Sequence, residues 1–313
     1  MKKSLLFTLQ IFLFTGFLVT LLFAVLRVSG IANPLSKLDH EEMQMNRTEL
    51  YDAGLARLND LQRLTAYCDS LYAASYQTQT SSYQKEYTNL VSQVIRKRFY
   101  HGYSYYGFND NYLAFLFSKI SKQGYSAIVK TDDILKHPMG SCSQQSIVMM
   151  QLLKNKGFQT RKIGFHGKKY GGHFCLEVFY NNTWHFYDAN LEPDANVLDA
   201  YDRPGIDSLV ANMPLLLKAY SKKNEEEITD IFPTYEYGAV NVYPASNALL
   251  FHRITNFLTY TIWVFFLIAF VLLRRLSRRL INTQYVWNSR IHFPPVHPGT
   301  STANHHSASA QGS

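Results

Sequence analysis

Residues 172–188 read GHFCLEVFYNNTWHFYD, and this run decides the fold class. From Gly172 to Tyr180 the side chains alternate with the two-residue period of a strand. His173, Cys175, Glu177 and Phe179 fall on one face, and Phe174, Leu176, Val178 and Tyr180 on the other. The second face is expected to be the core. Asn181-Asn182 is a credible two-residue hairpin turn, because Asn tolerates positive φ, and Thr183–Asp188 returns as the antiparallel partner. Such a turn pairs Tyr180 with Thr183, which sets Asp188 opposite Cys175 and Asn190 opposite His173. Asp188 and His173 are then diagonal neighbours on one face, with Cβ atoms within roughly 7–8 Å. At that range a carboxylate can hold an imidazole N–H. A slip of one residue would send Asp188 to the opposite face and break the pairing.

Upstream, Gly140-Ser141-Cys142 leads into SQQSIVMMQLLKNKGF, in which Ile147, Val148, Met149, Leu152 and Leu153 form a helical apolar face and Gly157 is a suitable stop. Cys142 therefore lies at or next to a helix N-terminus. Unpaired N–H groups and the positive end of the helix dipole favour thiolate over thiol there, and the same N–H groups can form part of an oxyanion hole. A short strand, Arg161–His166, and a Gly/Lys loop connect this helix to the hairpin. Taken alone, Cys142 reads as an inert cysteine in a buried turn. The convergence of His173 and Asp188 supplies the other two parts of a nucleophile, base and orienter set.

These residues resemble the transglutaminase-like superfamily, whose core carries a Gly-x-Cys at the head of a helix, a Gly-His strand ending in Glu-Val, and a Trp-containing strand ending in Asp. Here the matching residues are Gly140-Ser141-Cys142, Gly172-His173 with Glu177-Val178, and Trp184 with Asp188. The resemblance covers about fifty residues. It implies an α+β fold with a papain-like core, Cys142 as nucleophile, His173 as general base and acid, and Asp188 orienting the histidine. The chain departs from many members in having Cys175 two residues after the histidine instead of Trp, and Ala189 after the aspartate instead of Pro.

Outside this core, Leu55, Leu58, Leu61, Leu64, Cys68 and Leu71 recur at steps of three and four and predict an amphipathic helix over 49–71. Fewer than four clean heptads are present, so a self-associating coiled coil is not the favoured reading, and the oligomeric state is left open. A polar loop over 75–82 and a second helix over 83–99 follow. The tyrosine- and glycine-dense stretch YHGYSYYGFNDNY, 100–112, can line a cleft or fill a core. The ends are apolar. Ser4–Leu26 is 23 residues without a charge, ~35 Å as a helix against a hydrocarbon layer of ~30 Å, and Ile254–Leu273 is a second uncharged run of 20. The first is longer than a signal-peptide apolar region and lacks a small-x-small cleavage pattern. The expected organisation is a cytoplasmic N-terminus (1–3), a transmembrane helix (4–26) and a helical lead-in (27–82). A transglutaminase-like domain (83–253, motif core 140–190), a second transmembrane helix (254–273) and a basic, then disordered, cytoplasmic tail (274–313) follow.

The net charge of +8 and a pI near 9.2 raise the question of a nucleic-acid partner. Lys2, Lys3, Arg274, Arg275, Arg278, Arg279 and Arg290 account for seven of the eight excess charges, and every acid lies between Arg27 and Leu273. The charge is thus a topology signal. By the positive-inside rule both termini are cytoplasmic and the central region is extracytoplasmic or periplasmic, as in a two-pass plasma (inner) membrane protein, with no nucleic-acid partner. Three cysteines are too few for a disulfide scaffold.

The expected function is a membrane-anchored cysteine acyltransferase or amide/peptide hydrolase acting through a thioester on a protein or peptide substrate. A catalytically inactive domain of the same fold, serving as a tethered binding or scaffolding module, is the alternative, against which the intact triad argues. A metal site of Cys142, His173, Cys175 and Asp188 has zinc-compatible ligands but no ligand-pair spacing, so neither a metal nor a cofactor is expected. Cys175 on the His173 face also permits a disulfide to Cys142 that would switch off the nucleophile.

Overall fold

A computed structural model describes residues 3–29, 45–46, 49–75, 82–121 and 124–291. Lys2, most of the expected polar loop and the tail from 292 with its His305-His306 pair lie outside the described residues. In chain order the elements are α1 (Lys3–Ser29), a 3₁₀ turn (Ala53–Arg57), α2 (Leu61–Ser75), α3 (Tyr83–Arg98), β1 (Tyr100–His101), α4 (Phe108–Ile120), α5 (Thr131–Ile134), β2 (Met139–Gly140) and α6 (Cys142–Asn155). There follow β3 (Gln159–His166), β4 (Gly172–Tyr180), β5 (Thr183–Tyr187), α7 (Ala195–Asp199), α8 (Ile206–Ala211), α9 (Met213–Ala219), α10 (Glu225–Ile231), β6 (Tyr235–Tyr237) and α11 (Ser246–Ile291). The fold is mixed α+β. Two compact units are present, one of Met1–Phe23 with Thr261–Ser313 and one of Ala24–Tyr260.

In the larger unit an antiparallel four-stranded sheet runs in the order β5-β4-β3-β6. The β4–β5 hairpin has the register that the two-residue turn requires: Tyr180 pairs with Thr183, Val178 with His185 and Leu176 with Tyr187. Asn181 and Asn182 both adopt left-handed backbone, φ 50° and 61°, the conformation of a two-residue turn whose twist suits the flanking strands.

The sheet corrects the expectation of a single core face. Leu176, Val178, Tyr180 and Tyr187 bury against α2, α3 and α6, while Ile163, Phe165, Cys175 and Phe186 bury in a second core with residues of α7 to α10. His173 and Glu177 make the second face look polar in sequence, but the helices after β5 cover it. Buried polar groups on that face must therefore be paired. Glu177 accepts from Arg161 Nε at 2.7 Å and from the Ile206 N–H at 2.7 Å. Arg161 in turn lies between the rings of Trp184 and Tyr237, at 4.3 and 3.7 Å from their centroids. One side chain from each strand thus joins a single stack, and the Glu of the Glu-Val motif is a structural residue.

The helix expected over 49–71 is split. Asp52 caps the 3₁₀ turn through the Gly54 N–H, and Asp60 restarts the helix by accepting from the Arg63 N–H at 2.7 Å. The apolar stripe survives the break, with Leu55, Leu58, Leu64 and Cys68 buried in the core of the larger unit. Burial pushes the Cys68 thiol up to about 12, and it behaves as a small apolar residue. Gly157, at φ 84°, ends the connection after α6 in left-handed backbone as its position predicts.

Among the described residues two helices are long and apolar enough to cross a membrane, Ser4–Ser29 and Ser246–Thr283. In the smaller unit they pack antiparallel. Gln10 Nε2 donates to Ser277 Oγ, Phe14 meets Phe270, and Phe17 meets Trp263. A Cβ at Gly16 would come within 2.7 Å of the Phe266 ring, so a small residue is required where the helices approach closely. The chain expected to be irregular from Ile281 is helical to Ile291. No Gly or Pro intervenes before Pro294, so a helix already nucleated continues.

The Arg161–Glu177 pair makes a stability prediction. Arg161→Met strands the buried carboxylate and is expected to cost about 3 kcal/mol, roughly 6–12 °C in Tm for a domain of this size. The double variant Arg161→Met/Glu177→Gln, which keeps an acceptor for Ile206, should recover most of the loss. Thermal melts of the full chain in detergent check both; a double variant no better than the single one would contradict the pairing argument.

Candidate active site

Cys142 is the first residue of α6, and its position is set by the turn before it. Ser141 is the N-cap: its hydroxyl accepts from the Gln144 N–H, and Gln144 Oε1 accepts from the Ser141 N–H, a reciprocal capping box. Gln144 does more than cap. Its Oε1 also accepts from the Ser104 N–H at 3.0 Å, and its Nε2 donates to Ser104 O and Ile128 O at 2.8 and 2.7 Å. All four hydrogen-bonding positions of this buried amide are filled. The amide fastens the cysteine turn to the 104 and 128 segments. The Gln145 N–H is taken by Ser141 O. Among the described residues none accepts from the N–H of Cys142 or Ser143, which leaves these first-turn donors for a ligand.

His173 stands at the start of β4, where α6 meets the strand through a hydrogen bond from Ser146 Oγ to Phe174 O at 3.1 Å. Its ring lies against Phe165 and Phe232, and Nε2 is 2.8 Å from Asp188 Oδ2. Cys142 lines the same cleft as His173. Of the three residues that the sequence singles out, His173 and Asp188 are in direct contact, and Cys142 shares the cleft lining with His173.

Asp188 departs from the expected geometry in one respect. The strand stops at Tyr187, because Asp188 turns its Oδ1 back onto the N–H groups of Asn190 and Leu191 at 2.9 and 3.1 Å, an Asx turn. Asn190 consequently does not pair across from His173. It is placed instead with Oδ1 2.9 Å from His101 Nδ1. The second acceptor, Oδ2, takes His173 and the Tyr220 hydroxyl, each at 2.8 Å. Four bonds fill the carboxylate.

The titration of the pair follows. Burial alone would raise the Asp188 carboxyl, but the facing His173 ring, the Leu191 N–H and the Tyr220 hydroxyl outweigh it and hold the group well below the usual carboxylate range. Burial alone would lower His173, but the Asp188 carboxylate held against Nε2 outweighs it and raises the imidazole well above its ordinary value. Burial keeps Cys175 a thiol, pushed well above the usual range, and burial beside Asp188 does the same for the Tyr220 phenol.

His173, Cys175 and Asp188 each offer one metal-ligand atom, all within 4.8 Å of one another. Cys142 is not part of that group. Since both oxygens of Asp188 are already filled by hydrogen bonds, the arrangement suits a carboxylate holding an imidazole more than one holding a cation. All three cysteines are free thiols; Cys68 and Cys175 are buried and Cys142 is partly exposed.

Cys142 and His173 open onto a cleft of about 890 Å³, also lined by Tyr103, His101, Asn190, Arg96, Glu192 and Lys222. The wall thus mixes aromatic, amide and oppositely charged groups. Tyr220 comes from a segment with no local pattern that points at the site. Gln144 had one: Ser-x-x-Gln at the head of an apolar helix is a capping signal. In comparisons with known proteins, no family model, curated protein or solved structure matches the chain.

Two pH predictions rest on the pair. Asp188, lowered in the fold, stabilises above its unfolded value of about 3.9, and that contribution is lost as pH falls through the folded value. His173, raised in the fold, stabilises fully below about 6.5, and its contribution is lost as pH rises through the folded value. Thermal melts from pH 3 to 10 should show both limbs in the native chain and a flatter profile in Asp188→Asn; equal slopes in the two would disprove the coupling. Tyr220→Phe removes one donor from a charged acceptor, so a loss of about 1.5–3 kcal/mol is expected, with an acid limb that begins at higher pH.

Proposed function

We propose that this chain is a membrane-anchored thiol enzyme of the transglutaminase-like type, with a papain-like core. The observation that carries the reading is the buried His173–Asp188 pair at the wall of a cleft that the partly exposed Cys142 also lines. With Nε2 committed to Asp188, Nδ1 is the ring nitrogen left to exchange a proton with Cys142.

In the proposed reaction the Cys142 proton passes to His173 and Sγ forms a bond to the carbonyl carbon of a carboxamide or peptide. The oxyanion is received by the free N–H groups at the head of α6. Collapse breaks the C–N bond, and the leaving amine or ammonia takes the proton from His173. Water, or an acceptor amine, then loses a proton to His173 while attacking the thioester. Sγ leaves, regains its proton, and releases an acid or a new amide. Asp188 stays ionised throughout and holds the ring in orientation. The mixed polarity of the cleft supports a protein or peptide substrate.

The antiparallel pairing of α1 and α11 supports a two-pass anchor with both termini on one side of the bilayer. The arginines after Leu273 support a cytoplasmic position for that side and an extracytoplasmic one for the catalytic unit.

The test uses the full chain in nanodiscs. Iodoacetamide at pH 6–7 should modify Cys142 well ahead of Cys68 and Cys175, and His173→Ala should slow that reaction. Ammonia release from glutamine peptides, or incorporation of a tagged amine, should disappear in Cys142→Ala and fall by about 10²–10⁴ in His173→Ala. Labelling of Cys142 no faster than Cys68 and insensitive to His173 would sink the enzyme reading and favour the scaffolding one.

A further inference from the structure

The surface of α4 is apolar on both sides. Its inward face buries Phe108, Tyr112, Ala114 and Phe115. On the other side Leu113 is half-buried, while Leu116, Phe117 and Ile120 are 42%, 49% and 85% exposed. These four positions are spaced i, i+3, i+4, i+7, which makes them a continuous stripe. Between Asn111 and Ile120 the one charge is Lys119, whose ammonium lies 5.0 Å from the Phe115 ring. An apolar stripe on a helix whose other face is already buried belongs in a core or in lipid, and among the described residues Leu116 and Ile120 of this stripe are left open.

Its neighbours say which. Asn111, buried and outside helical backbone at φ −155° and ψ 79°, donates through Nδ2 to Thr255 Oγ1 at 2.8 Å, and Thr259 Oγ1 donates to its Oδ1 at 3.4 Å. Phe117 packs on Phe251 at 5.7 Å, and Tyr125 on the same ring at 5.1 Å. α4 is therefore docked on α11 over 251–259, which overlaps the uncharged run that starts at Ile254. Thr259 lies about 8 Å along the helix from Ile254 at 1.5 Å per residue. Exposed Leu250, Ile254 and Phe257 on α11 extend the apolar surface. Arg253 borders the run, and Arg27 is held at the same level by Asn256 Oδ1 at 2.9 Å and by the Tyr260 ring at 4.6 Å. An arginine and tyrosine band next to an apolar surface is the pattern of a headgroup layer over hydrocarbon.

We propose that α4 is a third membrane element, an interfacial helix whose Leu113, Leu116, Phe117 and Ile120 stripe sits in lipid at the domain-side end of α11. The occupant of this surface is the acyl-chain region of the bilayer. Asn111 satisfies its polar groups on two threonines because no water is available at that depth, and Lys119 extends back towards the headgroups.

The test is site-directed spin labelling of the full chain in nanodiscs of phosphatidylethanolamine and phosphatidylglycerol. In a Cys142→Ala background, with Cys68 and Cys175 fully buried, a single cysteine is placed at Leu116, Phe117 or Ile120. Phe265→Cys in the long apolar helix serves as the lipid reference and Tyr201→Cys as the water reference. Oxygen should relax labels at the three α4 positions several-fold more effectively, relative to a nickel chelate, than at Tyr201, approaching Phe265. Nickel accessibility equal to that of Tyr201 would overturn the proposal. So would protection from both reagents, which would mean that a second copy or another protein covers the stripe. Ile120 is almost wholly exposed, so its substitution leaves the packing intact, and a native Tm for Ile120→Cys confirms that the label reports on the folded chain. Nickel access at Phe265 as well would remove the membrane-spanning premise together with the proposal.

Discussion

Two asparagines in left-handed backbone, Asn181 and Asn182, hold β4 and β5 in one register, and the site depends on that register. Side chains on a strand alternate, so a one-residue slip would carry Asp188 through the sheet to the face of Leu176 and Val178. His173 would lose its carboxylate, and both cores would receive the wrong residues. The hydrophobic pattern and the turn chemistry enforce the same answer: Tyr180 and Tyr187 go to one core, Cys175 and Phe186 to the other. Where one face of a sheet is solvated, a slip exposes a few apolar groups; here it would also bury unpaired charge on both sides, which costs far more.

Double-sided burial explains why the polar groups of the second face are so completely paired. Glu177 has Arg161 and the Ile206 N–H; Asp188 has two backbone donors, a phenol and an imidazole. Each carboxylate ties the sheet to the segment that covers it. Glu177 holds the start of α8, while Tyr220, just after α9, reaches Asp188. The helices after β5 are thus registered on the sheet by hydrogen bonds to its two acids, and the apolar contacts of Leu209, Leu216, Ile228 and Phe232 fill the space between. The pairing that orients His173 is in this sense also a docking contact of the second layer.

What the sequence makes legible is local. The hairpin, its turn, the helix headed by Cys142 and the Gly157 stop are each specified within a few residues, and the face shared by His173 and Asp188 follows from them by geometry. Tyr220 was not legible, because it is 32 residues from Asp188 in sequence and nothing around it marks its hydroxyl for burial. The second core was missed for a related reason: alternation shows which residues share a face, but not what later segment covers that face. Asp52 and Asp60 each carry a capping signal that divides the 49–71 stripe, and the period of three and four alone hides it, since the apolar positions stay in phase across the break.

The tyrosine-rich stretch over 100–112, ambiguous between cleft and core, divides residue by residue. Tyr100 and Tyr106 are buried, the latter with its hydroxyl on Asp133 at 2.8 Å. His101 and Tyr103 face the cleft, and Phe108 opens α4. Between them Ser104 is fixed through both its N–H and its carbonyl by the Gln144 amide, the same side chain that caps the helix of Cys142. One buried amide therefore ties the turn of Cys142 to the segment that carries His101 and Tyr103. Four residues beyond Ser104 that segment continues into α4, which is docked on α11 through Asn111.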